Sequence, residues 1–227
     1  VRDLGRFVDS PEREGAVEAL CKTLRDADPD VRADAIVALC DLGERSVVPE
    51  LIRLLGDAQL RVRQMALLGL GELGTADQSE IVGRLGSFLS AGEPALRFQA
   101  LSAWATLVPE KLAEAIVERA QDSDPEVRTL ALRLIEEHWI EAEEELPEAL
   151  VSAARSRLKD TAPTVHLLAA VVLGRAGHAT DTDVLLATVQ RRLKVSDPAD
   201  EQVAIELCGA LGVRAAIPAL RRRAFGL

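Results

Sequence analysis

The chain has 227 residues with 37 acidic and 27 basic side chains, a net charge of −10; it is 48% apolar, yet holds four phenylalanines, two tryptophans and no tyrosine. Residues 1–150 carry 16 basic and 30 acidic side chains, net −14, while residues 151–227 carry 11 and 7, net +4. A phosphate backbone demands a basic stripe, so no nucleic-acid partner is expected.

No signal peptide is evident and no apolar run approaches the ~18 residues a membrane span needs, so no membrane contact is expected. Cys21, Cys40 and Cys208 show no C-x-x-C pair, which fits small buried thiols in a reduced, cytoplasmic setting better than a disulfide framework.

In chain order, residues 1–9 read as the tail of a helix closing at Leu4-Gly5, so the chain is expected to begin in mid-repeat. Helix pairs are then expected, an A helix followed by a B helix: Glu14–Arg25 with Asp30–Leu42, Val47–Leu55 with Arg61–Leu73, Ser79–Leu89 with Ala95–Leu107. Glu110–Ala120 with Glu126–Trp139, Pro147–Leu158 with Thr164–Ala176, and Thr182–Leu193 with Ala199–Leu211 follow, and Ala215–Arg223 closes the series. Apolar residues recur at helical spacing in every one, and strand signals are absent.

One turn starts the B helices. It reads Asp26-Ala-Asp-Pro-Asp-Val-Arg32 and Asp122-Ser-Asp-Pro-Glu-Val-Arg128, with the proline recurring as Pro29, Pro94, Pro125, Pro163 and Pro198, and Leu60 in the remaining copy. Asp before Pro offers an acceptor to the free N–H groups of a helix start, and Pro at the first helical position gives up a donor that has no partner there. Gly43, Gly74, Gly177 and Gly212 stand where a left-handed C-cap would release the chain. Spacings of 31 to 38 residues between copies are those of a repeat array.

These motifs resemble HEAT repeats, in the short form also found in bilin lyases: the Asp-x-Asp-Pro-x-Val-Arg turn, the Ala/Leu-rich B helix ending in Leu-Gly, and the A helix Val-Val-Pro-Glu-Leu-Ile-Arg-Leu-Leu. The likeness covers essentially the whole chain and weakens where His166 and Glu201 replace the turn arginine. It implies an all-α fold, a right-handed α-solenoid of antiparallel helix pairs, with residues 1–227 forming a single stack of about six repeats that is a fragment of a longer array. It also implies that Arg32, Arg63, Arg97 and Arg128 form a structural ladder with turn acids such as Asp26, Asp57, Asp122 and Asp160.

No catalytic constellation and no metal-ligand spacing is found around His138, His166 or His178, so no cofactor is expected. Seven glutamates between Glu136 and Glu148 read as a solvated helix start or a patch for a basic partner. The outward face of the B helices is richer. One column holds Asp34, Met65, Gln99, Leu130, Leu168 and Val203; a second holds Val37, Leu68, Ser102, Arg133, Val171 and Glu206. Met65, Leu68, Gln99, Leu130, Arg133, Leu168 and Val171 are the candidate partner-binding residues of a concave groove, with Asp41, Glu72 and Glu137 as its acidic rim.

The alternative is that these side chains touch one another. The expected function is a non-enzymatic scaffold that binds a protein helix or peptide, with end-to-end self-association through open repeats as a further possibility. A bilin-lyase-like tetrapyrrole-handling subunit, and more remotely a HEAT-like DNA glycosylase, are the other readings.

Overall fold

The computed structural model describes residues 11–193 and 197–225; the helix tail expected at Leu4-Gly5 lies outside them. All regular structure among the described residues is helical: α1 Pro11–Thr23, α2 Pro29–Asp41, α3 Val48–Leu54, α4 Leu60–Leu73, α5 Ser79–Phe88, α6 Pro94–Leu107, α7 Leu112–Arg119, α8 Pro125–Ile135, α9 Glu148–Ser156, α10 Pro163–Arg175, α11 Thr182–Val189, α12 Pro198–Ala210 and α13 Ile217–Phe225. Odd numbers are the A helices and even numbers the B helices. The chain divides into two compact units, Val1–Leu112 and Ala113–Leu227.

Helix ends explain why these segments form. Asp28, Asp124 and Asp197 each accept from a backbone N–H two residues on, at 2.8 to 2.9 Å, and a proline follows at the first helical position. At the other end Gly43, Gly177 and Gly212 adopt φ of 65°, 76° and 65°. The next amide bonds back to the carbonyl five residues earlier, Glu44 to Leu39, His178 to Leu173 and Val213 to Cys208, which releases the chain. Gly74 departs from that expectation. Its φ is −72° and ψ 171°, so it is extended, and a Cβ there would lie 2.4 Å from the Leu70 carbonyl oxygen.

In the first unit, α2, α4 and α6 lie side by side, with α3 against α4 and α5 against α6. Their shared layer buries Ile36, Leu39, Leu51, Leu67, Leu70 and Leu101 completely. Small residues let the B helices approach: a Cβ on Gly71 would meet the Cβ of Ala103 at 2.9 Å, and one on Gly69 would meet Cys40 Sγ at 3.0 Å.

In the second unit α10 is central and packs against α8, α9, α11 and α12. Leu167 to Gly174 are buried without interruption, so this helix has no wet face. Two boundaries differ from expectation. Helix α8 ends at Ile135 and widens into a π turn, Glu136–Ile140, closed by the Glu141 amide on the Glu136 carbonyl at 2.9 Å, with Glu143 left-handed at φ 56° just beyond. Helix α11 stops at Val189, because the amides of Arg191 and Arg192 turn back to the Thr188 and Ala187 carbonyls and Arg191 is left-handed.

Candidate functional site: the B-helix surface

The turn residues settle into ladders within each unit. Asp57 Oδ1 accepts from the Gln59 amide at 2.9 Å while both its oxygens take bonds from Arg32, Nε at 3.0 Å and Nη2 at 2.8 Å. The other Arg32 arm donates to the carbonyls of Asp26 and Ala27. Arg128 repeats this with Asp160, at 2.9 and 2.8 Å, and with the carbonyls of Asp122 and Ser123.

Burial disfavours ionisation of Asp57 and Asp160, but the guanidinium and backbone bonds outweigh it, and both carboxyls lie below their ordinary range. Where the turn lacks an aspartate, at Ala91, Arg63 reaches Glu93 instead at 2.9 Å. His166, in the arginine column, bonds Asp181 at 2.9 Å across a connection that doubles back along α10; there the Thr180 hydroxyl donates to the Ala170 carbonyl. These arginines are committed to turns and are not a free basic stripe.

The candidate docking residues behave differently in the two units. In the first, Met65, Leu68 and Gln99 are half-buried, Asp41 and Glu72 are exposed, and Val37 is 39% exposed. Leu68, Gly71 and Glu72 from α4 and Gln99, Ser102, Ala103 and Thr106 from α6 line an open cleft of about 300 Å³. Gly71 and Ala103, which sequence reasoning left out, are its floor. The Cys40 thiol on α2 has Glu72 as a hydrogen-bond partner; its burial first, then Glu72 and Asp41, push it up to about 12, so Cys40 stays protonated.

In the second unit the expected groove floor is corrected. Leu168 and Val171 are 1% and 2% exposed and belong to the core. Helices α8, α9, α11 and α12 pack around α10, and one ion pair spans two repeats: Arg133 on α8 places Nη2 at 3.1 and 3.0 Å from the two oxygens of Asp200 on α12. Arg133 is thereby committed to Asp200 and is not an open docking residue; Leu130 beside it is half-buried. Burial pushes the Asp200 carboxyl up, and Arg133 only partly offsets this.

A signal for this link was present. The second position after each B-helix start holds Val31, Val62, Leu96, Val127 and Val165, and then Asp200.

The acidic run is only partly free. Glu136 pairs with Arg175, whereas Glu137 and Glu141 to Glu145 are exposed. Trp139, Ile140, Leu146, several of these glutamates, Arg175 and His178 line a cleft of about 600 Å³ beside the π turn. Among the described residues no three His, Cys, Asp or Glu side chains converge as metal ligands, and no helix is long and apolar enough to cross a membrane.

Stacked helix pairs, joined by arginine–aspartate turns, define the class: an α-solenoid of short helical repeats. The family model for HEAT repeats matches residues 17–86, the α1 to α5 region. Among solved structures, a chain of the Pds5–Scc1 complex is similar at TM-score 0.57 and 13% identity, over 87% of this chain and 35% of that one. The chain thus spans about a third of that relative's length. The Escherichia coli protein YibA is similar at TM-score 0.54 and 14% identity, over 91% of each chain. No curated protein sequence matches the chain. At these identities the likeness is one of fold.

Proposed function

We propose that this protein is a non-enzymatic binding scaffold, and that the B-helix surface of α2, α4 and α6 holds a helix or peptide of a protein partner. The cleft between α4 and α6 carries this reading. It combines a half-buried leucine with a set of polar side chains, and Val37 on the neighbouring helix α2 is 39% exposed, the mixture a peptide-binding surface uses.

The alternative, that the outward side chains pack on one another, fits Leu168 and Val171 of the second unit, which are core; it does not fit Leu68 and Gln99 of the first, which are half-buried beside the cleft. The HEAT-repeat match lies in that first unit, and the Pds5–Scc1 chain, by its description, works in a complex with another protein.

The test is capture from an extract of the source cell with wild type and with a Val37→Glu, Leu68→Glu double variant. Both positions are at least partly exposed, so helical circular dichroism is expected to be unchanged while proteins retained by wild type are lost. Retention of the same proteins by the folded double variant would sink the proposal.

A further inference from the structure

We infer that the α4–α6 cleft is a subsite for one cationic side chain, lysine or arginine, of the docked partner; this rests on the reading of the B-helix surface as a docking face. The inference follows from which groups line the cleft. Glu72 brings a carboxylate, Gln99 an amide, and Ser102 and Thr106 hydroxyls, so every polar group facing the cleft can accept a hydrogen bond and none is a cation. Among the described residues, Glu72 has no ion pair with Lys or Arg, its side-chain partner being the Cys40 thiol, and the side chains of Gln99, Ser102 and Thr106 make no hydrogen bond. In contrast, Asp34 is held by Arg61, Glu50 by Arg53 and Arg25, and Glu93 by Arg63. Glu72 thus lacks the arginine partner that Asp34, Glu50 and Glu93 each have.

Asp41 on α2 adds a second negative charge to the surroundings of the Cys40 thiol, as Glu72 does. Among the described residues neither acid is ion-paired with Lys or Arg, and an incoming ammonium or guanidinium supplies that charge.

Shape selects the rest of the side chain. Gly71 and Ala103 bring α4 and α6 so close that the cleft floor is backbone and a single methyl group, wide enough for an aliphatic stem. Leu68 forms an apolar wall on which the methylenes of lysine or arginine lie while the charged head reaches Glu72 and the hydroxyls. Val37, on the adjacent helix and 39% exposed, then receives an apolar residue of the same peptide. An occupant with one basic and one apolar residue a helical turn apart satisfies both.

The experiment uses the whole chain and two blocked alanine-based peptides. One carries leucine and arginine a turn apart, twice; the other has glutamine in place of each arginine. Amide shifts are followed by NMR at low salt. The arginine peptide is expected to move the signals of residues 68–72 and 99–106, to weaken as salt rises, and to bind the Glu72→Gln protein about fivefold less tightly, as suits an exposed ion pair.

Equal binding of both peptides at those residues would overturn the cationic subsite and leave the docking face standing. Binding of the arginine peptide that Glu72→Gln leaves unchanged would overturn it too. Failure of both peptides to move any B-helix signal would overturn the subsite together with the docking reading. Glu72 is exposed, and unchanged circular dichroism of Glu72→Gln confirms that a loss is local.

Discussion

The B helices of the two units are built on one pattern and end with different surfaces. In the first unit α4 buries Val62, Ala66, Leu67, Leu70 and Leu73 toward its partners and leaves Leu68 and Glu72 beside an open cleft. In the second, Leu168 and Val171 on α10 are core and Arg133 spans from α8 to Asp200 on α12, while the cleft of about 570 Å³ between α10 and α12 is lined instead by Arg175, Val203, Glu206 and Ala210. Column position in a repeat therefore says which way a side chain points, but not whether water or a neighbouring repeat meets it. In the second unit packing takes up Leu168 and Val171, and an ion pair two repeats long takes up Arg133.

The sharpest way to break this contrast is a charge at matched positions. Leu168→Glu forces an unpaired carboxylate into the core and is expected to unfold the second unit, at a cost above about 4 kcal/mol. Leu68→Glu, on the half-buried cleft wall, is expected to cost about 1 kcal/mol or less. Chemical denaturation followed by circular dichroism measures both, and similar losses would erase the distinction. A core truncation, Leu70→Ala, sharpens it from the other side: about 2–5 kcal/mol is expected, with amide protection lost in the first unit before the second.

The ladder rungs come next. Arg128→Ala strands the well-shielded Asp160 carboxylate and should cost about 3 kcal/mol. Arg63→Ala leaves Glu93, whose side chain is 49% exposed, as the one acid without its partner, beside the carbonyls of Asp57 and Ala58, and should cost about 1 kcal/mol.

Arg133→Met removes the partner of buried Asp200, and a loss near 2 kcal/mol is expected at neutral pH. This loss should shrink on acidification, since protonated Asp200 no longer needs a cation. Asp200→Asn, which keeps the shape without the charge, should be milder than Arg133→Met at pH 7. If it proves the more damaging of the two, the account of the Arg133–Asp200 pair fails.

The smallest effect is in the pH profile, and its sign differs between groups. Asp57 and Asp160 hold protons less readily folded than unfolded. Their contribution is complete above the ordinary aspartate value of 3.8 and is lost as the pH falls below it through their folded values. Asp200 is raised by burial, so between 3.8 and its folded value acidification favours the native state. Wild type compared with Asp200→Asn in pH-dependent denaturation isolates this opposite slope. Parallel profiles would show that Asp200 is not desolvated as described.

Much of the fold was legible because its causes are local. Asp28-Pro29, Asp124-Pro125 and Asp197-Pro198 start helices by short-range hydrogen bonding, and Gly43, Gly177 and Gly212 end them through a backbone conformation that favours glycine. The arginine ladder came from the HEAT resemblance, and the structure supplies its pairs, Arg32 with Asp57 and Arg128 with Asp160.

Less local features escaped. The π turn at Glu136–Ile140 breaks a pattern that runs on to Trp139 in sequence, and Gly74 proved extended. Of the candidate docking residues, Leu68, Gln99 and Glu72 meet around one cleft, whereas Leu168, Val171 and Arg133 are taken up by the core and by Asp200.

By itself the sequence determined the helices, their order, their pairing and the turn chemistry that repeats them, since each depends on residues a few positions apart. Only the tertiary structure decided which B-helix side chains stay accessible. That choice depends on how closely backbones approach at Gly71 and Ala103, and on whether a side chain such as Arg133 reaches an acid 67 residues away.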